Sequence, residues 1–155
     1  MKKPLISEMT LRQKIGQTAM PGPRPVRAGM KACQGYDKYF AKYPFAGFFL
    51  HEDMRYPNEE KIASPAELEK IVRDASEACD FPLLVSCDEE LGAKGLFDEL
   101  HRISSNMSVG AARNKELTYQ RSYYYARELR SCGVNWWFGP VCDMVPNFFN
   151  SSVRC

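Results

Sequence analysis

The stretch FPLLVSCDEELG, Phe81 to Gly92, decides how this chain is read. Pro82 opens it, Leu83-Leu84-Val85 form a short apolar run, and Asp88, Glu89 and Glu90 end it before Gly92. An apolar run of this length between turn signals predicts a buried strand. The lack of polar alternation suits a parallel sheet covered on both faces. A carboxylate at the C-terminal end of such a strand stands where α/β folds place substrate-binding groups. Asp88 is therefore either a site residue or part of a solvated turn, and its position rather than its charge raises the first reading.

The rest of the chain supplies alternating elements. Thr10-Leu11-Arg12-Gln13 has the capping-box form and starts a short helix to about Gln17. Gln17–Met20 is an apolar stretch that suits a short first strand, stopped by Pro21-Gly22-Pro23. Residues 21–35, rich in Pro, Gly and Arg, read as a long loop. Its Arg24, Arg27 and Lys31 are either solvated or meet an anion. Tyr36, Tyr39, Phe40 and Tyr43 recur at helical spacing and predict a packed helical face ended by Pro44. Phe45–Leu50 follows as a second buried strand, with His51 at its end. His51 either contacts a ligand or simply terminates the strand.

Ser64-Pro65-Ala66-Glu67 predicts a helix start, with Ser as N-cap, Pro at the first position and Glu at the third. Leu68, Ile71, Val72, Ala75 and Cys79 form its apolar face and lead into the strand Pro82–Cys87. Residues from Gly92 to about Ala112 lack periodicity and read as a long loop, a length that favours a functional role. Asn114 caps a long helix whose face is Thr118, Ser122, Tyr125, Leu129 and Cys132, with Gly133 just past its end. Tyr123, Tyr124 and Tyr125 spread around that helix as packing or boundary residues. Val134–Phe138 reads as a fourth strand, and Asp143 stands just beyond it. Helices alternating with strands predict a parallel α/β sheet with right-handed crossovers.

Composition restricts the function classes. The chain has 155 residues, 45% hydrophobic and 26% charged, with net charge +2. That is enough for one globular core. The basic residues are scattered, which argues against a nucleic-acid partner. MKKPLISEMTLRQK has no apolar core after its lysines, so it is not read as a secretory signal. No run is long enough to span a membrane, and the expected compartment is cytoplasmic. The six cysteines show no CxxC pair and no zinc spacing. They read as small buried or half-buried thiols. A cysteine nucleophile would need His51 or His101 beside it.

Several of these stretches together resemble family 3 glycoside hydrolases. MTLRQKIGQ (9–17) resembles the family's N-terminal signature, and YFAKYPFAGFFL (39–50) the helix-turn-strand that follows. FPLLVSCDEELG resembles its strand ending in Asp-x-Glu-Gly-Gly, and SNMSVGAARNKELTY (105–119) its serine-containing loop and next helix. ARELRSCGVNWWFGPVCDMVPN (126–147) resembles the helix-Gly-strand run that leads to Ala-Pro-x-x-Asp. Val153-Arg154-Cys155 resembles the start of an Arg-Ser-Phe-Gly motif. Their order and spacing cover nearly the whole chain.

The resemblance implies that residues 1–155 are the N-terminal half of a TIM (β/α)8 barrel domain. In full form such a domain cleaves β-N-acetylglucosaminides or β-glucosides from the non-reducing end with retention. It works through a covalent glycosyl-enzyme and uses no metal or organic cofactor. Asp88 is then a carboxylate accepting hydrogen bonds from sugar hydroxyls. Arg154 is its cationic companion, and Asp143 either orients that arginine or is structural. The family's Lys-His motif and nucleophilic aspartate have no counterpart here, so the resemblance assigns this chain the sugar-binding side of the pocket and no catalytic residue. A complete barrel needs about 250 residues.

Two departures bear on sugar preference. Leu91-Gly92 stands for the usual Gly-Gly, and no arginine matches at Ala93, Lys94 or Gly95. The alternatives are a non-catalytic sugar-binding or degenerate half-barrel, and a doubly wound fold suggested by alternation alone, for which no Gly-rich phosphate loop is present. A half-barrel leaves open strand edges and an uncovered inner face, so self-association of the isolated chain is expected.

Overall fold

A computed structural model describes residues 4–50, 64–79, 81–90 and 92–142. Three short strands, β1 (Gly47–Leu50), β2 (Leu84–Cys87) and β3 (Trp136–Trp137), form one parallel sheet in the order β1-β2-β3. Six α-helices accompany them: α1 (Leu11–Gly16), α2 (Pro23–Cys33), α3 (Tyr36–Lys42), α4 (Pro65–Ala78), α5 (Asn106–Ala112) and α6 (Lys115–Ser131).

Strand alternation decides which residues meet the helices. Phe48 and Leu50 of β1 and Val85 and Cys87 of β2 join one core with Tyr39 and Phe40 of α3, Leu68, Ile71 and Ala75 of α4, and Tyr125 and Leu129 of α6. Trp137 of β3 packs edge-on against Tyr125, with ring centroids 5.1 Å apart. The opposite face carries Gly47, Phe49, Leu84, Ser86 and Trp136. Helices on one face and strands in sequential order are the arrangement of a singly wound barrel. A doubly wound sheet reverses its strand order and covers both faces. The expectation of burial on both faces therefore fails at Leu84, which is 38% exposed among the described residues.

The helix starts follow their caps. Thr10 accepts from the Gln13 amide while the Gln13 side chain accepts from the Thr10 amide. Ser64 accepts from the Glu67 amide, and Asn114 from those of Glu116 and Leu117. α6 stops at Gly133, as its sequence predicts.

Three expectations need correction. Residues 21–35 are not a loop, because α2 occupies Pro23–Cys33. Pro23 and Pro25 both lie in its first turn, where the backbone N–H has no intrahelical acceptor, so proline costs nothing there. The expected strand Gln17–Met20 is not a strand. The chain runs beside β1, and the carbonyls of Ala19 and Pro21 accept from the amides of Ala46 and Phe49. Pro21 and Pro23 cannot donate to a ladder, so regular pairing stops at those two bonds. The loop Gly92–Ala112 contains a 3₁₀ turn, Ala93–Gly95, and the helix α5 capped by Ser105. α5 buries no residue, so it lacks the apolar stripe that marks a helix in sequence.

The fourth predicted strand shortens to Trp136–Trp137, and a side chain extends it. The Asn135 amide oxygen accepts from the Val85 N–H at 2.9 Å, and its nitrogen donates to the Leu83 carbonyl at 2.9 Å. With its own N–H bonded to the Val85 carbonyl, Asn135 pairs with β2 as a longer strand would. Gly47 faces the Leu84 carbonyl so closely that any Cβ would collide with it, which keeps β1 against β2. Asn135→Ala leaves the Val85 donor and the Leu83 acceptor unpaired. We expect a loss of about 2 kcal/mol in urea unfolding. A change below about 0.5 kcal/mol, the scale of a neutral surface substitution, would show that β3 does not depend on this pairing.

Candidate functional site

The C-terminal end of the sheet gathers the chemistry. Asp88 follows β2 directly, and its N–H donates to the Leu50 carbonyl, continuing the ladder by one residue. Alternation places it on the face of Ser86 and Leu84, away from the helices. It is half-buried, so its carboxylate is open to a ligand at the end of the strand.

The chain after Asp88 is held from two sides. The Glu89 carbonyl accepts from the Tyr125 hydroxyl at 2.7 Å and from the Trp137 indole N–H at 3.0 Å. Burial raises the Tyr125 pKa well above that of an ordinary phenol, with nearby Cys87 adding to the rise, so the hydroxyl remains a donor. Glu89 itself is 3% exposed. Gly92 then turns the chain at φ +106. A Cβ there would lie 2.5 Å from the His101 carbonyl and 2.7 Å from the Ile103 amide nitrogen, so this position demands glycine.

The following loop is fastened to α6. Glu128 accepts from the His101 backbone N–H at 3.2 Å and meets His101 Nδ1 at 2.6 Å. The Lys94 N–H closes the loop on the His101 carbonyl. Further along α6, Arg121 donates to Asn106, whose side chain donates to the Val141 carbonyl. These links tie α5, α6 and the segment after β3 around the end of β2. None was visible as a motif. His101 and Asn106 lie in the aperiodic stretch, whereas Arg121 and Glu128 sit within the long helix.

Three aromatic rings complete the inner face. Phe49 stacks on Phe138 with centroids 5.4 Å apart and planes 26° apart, and Phe138 meets Trp136 edge-on at 4.9 Å. Phe138 lies one step beyond the last paired residue of β3, with its N–H bonded to the Cys87 carbonyl. It therefore stands beside Asp88 on the neighbouring strand.

Of the sequence-predicted site residues, the structure places Asp88 at the strand end. His51, Asp143 and Arg154 lie outside the described residues. Cysteine chemistry is disfavoured here. Burial pushes the Cys87 thiol up to about 12, and His101 is engaged with Glu128. Cys79 and Cys132 are also buried, Cys33 is half-buried and Cys142 is exposed. Among the described residues no cluster of His, Cys, Asp and Glu could hold a metal, and no helix is long and apolar enough to cross a membrane.

A cavity of about 230 Å³ lies at the other end of the sheet, lined by residues including Arg12, Phe40, Pro44, Cys79 and Phe81. In parallel barrels that N-terminal end serves stability, whereas substrates bind at the C-terminal end, so this cavity is not the candidate site.

Comparison with known proteins identifies the family. The family model "Glycosyl hydrolase family 3 N terminal domain" matches residues 10–152. A beta-N-acetylglucosaminidase/beta-glucosidase from Cellulomonas fimi is 36% identical over 69 residues, which are 44% of this chain and 12% of that protein. The structure of a glycoside hydrolase family 3 beta-N-acetylglucosaminidase from Paenibacillus sp. str. FPU-7 superposes with a TM-score of 0.65 at 30% identity. That match covers 85% of this chain and 24% of the other. The chain thus spans less than a quarter of the length of either relative.

Tyr125→Phe removes one of the two donors on the Glu89 carbonyl. We expect a cost of about 1 kcal/mol, and faster amide exchange for residues 89–92, read by hydrogen–deuterium exchange.

Proposed function

The chain belongs to glycosyl hydrolase family 3, with the α/β architecture of a TIM-barrel half, and from that premise we propose that it is part of an exo-acting, retaining β-glycosidase. The bond to be broken is the O-glycosidic bond of a β-linked N-acetylglucosaminide or glucoside. Residues 1–155 form part of the N-terminal barrel domain and supply the sugar-binding side of its pocket. The carboxylate nucleophile and the acid/base come from sequence that this chain does not contain, so the chain alone is inactive. Neither a metal nor an organic cofactor takes part, and the compartment is the cytoplasm.

The observation that carries this reading is Asp88. It stands half-buried at the C-terminal end of the central strand, on the face that the helices leave open. A carboxylate there accepts hydrogen bonds from sugar hydroxyls, which are stronger than neutral ones because the acceptor is charged. The Glu89 anchors and the glycine turn at Gly92 hold it at the strand end. Arg154 is the cationic companion that donates to the same sugar, Asp143 either orients that arginine or is structural, and His51 is a further candidate contact; all three lie outside the described residues. The family resemblance supports the first two, and His51 rests on its place after an apolar run in the sequence.

A non-catalytic sugar-binding or degenerate half-barrel fragment is the second reading. The two separate by experiment. The chain extended to its relatives' length is expected to hydrolyse chromogenic β-N-acetylglucosaminides or β-glucosides; no turnover of any such glycoside sinks the enzymatic reading. For the chain itself, Asp88→Asn removes the charge from the acceptor. We expect calorimetry to show monosaccharide affinity about 10- to 100-fold weaker in that variant, the scale of a lost charged hydrogen bond.

The open inner face also supports self-association, since Leu84, Trp136 and Phe138 are 38%, 44% and 39% exposed. Sedimentation of the isolated chain is expected to show species heavier than its 17.7 kDa, rising with concentration.

A further inference from the structure

The pocket proposed around Asp88 has a wall but, so far, no floor. Register supplies one. Cys87 pairs with Trp137, so the next residues on the two strands, Asp88 and Phe138, stand side by side on the inner face. The Phe138 N–H bonds the Cys87 carbonyl at 2.9 Å, which fixes the ring's starting point next to the carboxylate.

The ring has little freedom below. It stacks on Phe49 of β1 and meets Trp136 of β3 in a T-shaped contact. Phe49 and Trp136 both pair with Ser86, one on each side. The three rings therefore bridge from β1 to β3 across β2 at the level of Ser86. Ser86 between them is 0% exposed, and its hydroxyl has no hydrogen-bond partner among the described residues. A buried hydroxyl without a partner costs stability. The hydroxyl therefore lies where solvent does not reach, at the level of Phe49 and Trp136. Above it, Phe138 remains 39% exposed.

A partly exposed aromatic ring beside a carboxylate matches the two sides of a pyranose. The ring takes the apolar C–H face of the sugar, and the carboxylate takes the hydroxyls at its rim. We infer that Phe138 is the floor on which the sugar ring rests, and that it is a positioning and specificity residue for the sugar bound by Asp88. This rests on the sugar-binding reading above. It selects pyranoses with equatorial substituents, whose flat C–H face lies down on a ring, over sugars with an axial group pointing at it.

The test uses the 155-residue chain with N-acetyl-D-glucosamine and D-glucose as probes. Phe138→Leu keeps the apolar volume and loses the flat face. It is expected to weaken binding by about tenfold, the scale of one lost ring contact, while Phe138→Tyr restores affinity. Equal affinity in the leucine variant, with Asp88→Asn still weakened, overturns the role of Phe138 and leaves the sugar-binding reading standing. No binding of either sugar to the unaltered chain overturns both. Should the leucine variant fail to fold, the unaltered protein decides the matter through Trp136, whose indole touches Phe138. Bound sugar is expected to shift the emission, and Trp136→Phe to abolish the shift. Sugar binding detected by calorimetry without any emission change contradicts the proposal.

Discussion

The site depends on the commitment of Val85 and Cys87 to the helical layer. Both are fully buried with α4 and α6, and strand alternation then leaves Ser86 and Asp88 no choice of face. A shift of one residue in β2 would put Asp88 into the apolar core and Cys87 at the strand end, so register is fixed by the cost of burying a carboxylate. The neighbours are held by the same strand. β1 pairs with β2 over four residues, and β3 adds two more with Asn135 in support. What leaves the end of β2 is fixed next, by two donors on the Glu89 carbonyl.

The two ends of the sheet consequently differ in kind. At the N-terminal end α1, α3 and the end of α4 gather around a partly open cavity. The C-terminal end collects loops, acids and aromatic rings tied together by polar side chains from α5 and α6. Rigid elements position what the loops display, which is how barrel enzymes separate stability from chemistry. Here Glu128 and Tyr125, on the inward side of α6, each reach a loop near the end of β2.

Much of the fold could be read in advance where one signal was decisive. The capping box at Thr10, the Ser64-Pro65 start, the Asn114 cap and the apolar run of β2 all act locally, and each element begins within a residue or two of its expected place. α2 was hidden because its prolines suggest a loop until their position in the first turn is known. α5 was hidden because it buries nothing. β3 was overestimated because Trp136 and Phe138 are apolar yet face the open side of the sheet. The site was legible only in part. Asp88 was marked by its place after a strand, whereas the aromatic bridge over Ser86 needs the register of three strands, and the Glu128 clamp joins residues 27 apart. Pairings of that kind leave no periodic trace.

The central proposal is that sugar is received on the inner face at the C-terminal end of β2. Titrating the isotopically labelled chain with N-acetyl-D-glucosamine and mapping chemical-shift changes tests this directly. Saturable changes are expected at the amides of Asp88, Glu89 and Phe138, with Thr10, Phe40 and Phe81 at the far end undisturbed. Changes centred on those far-end residues, or none at all, would contradict it.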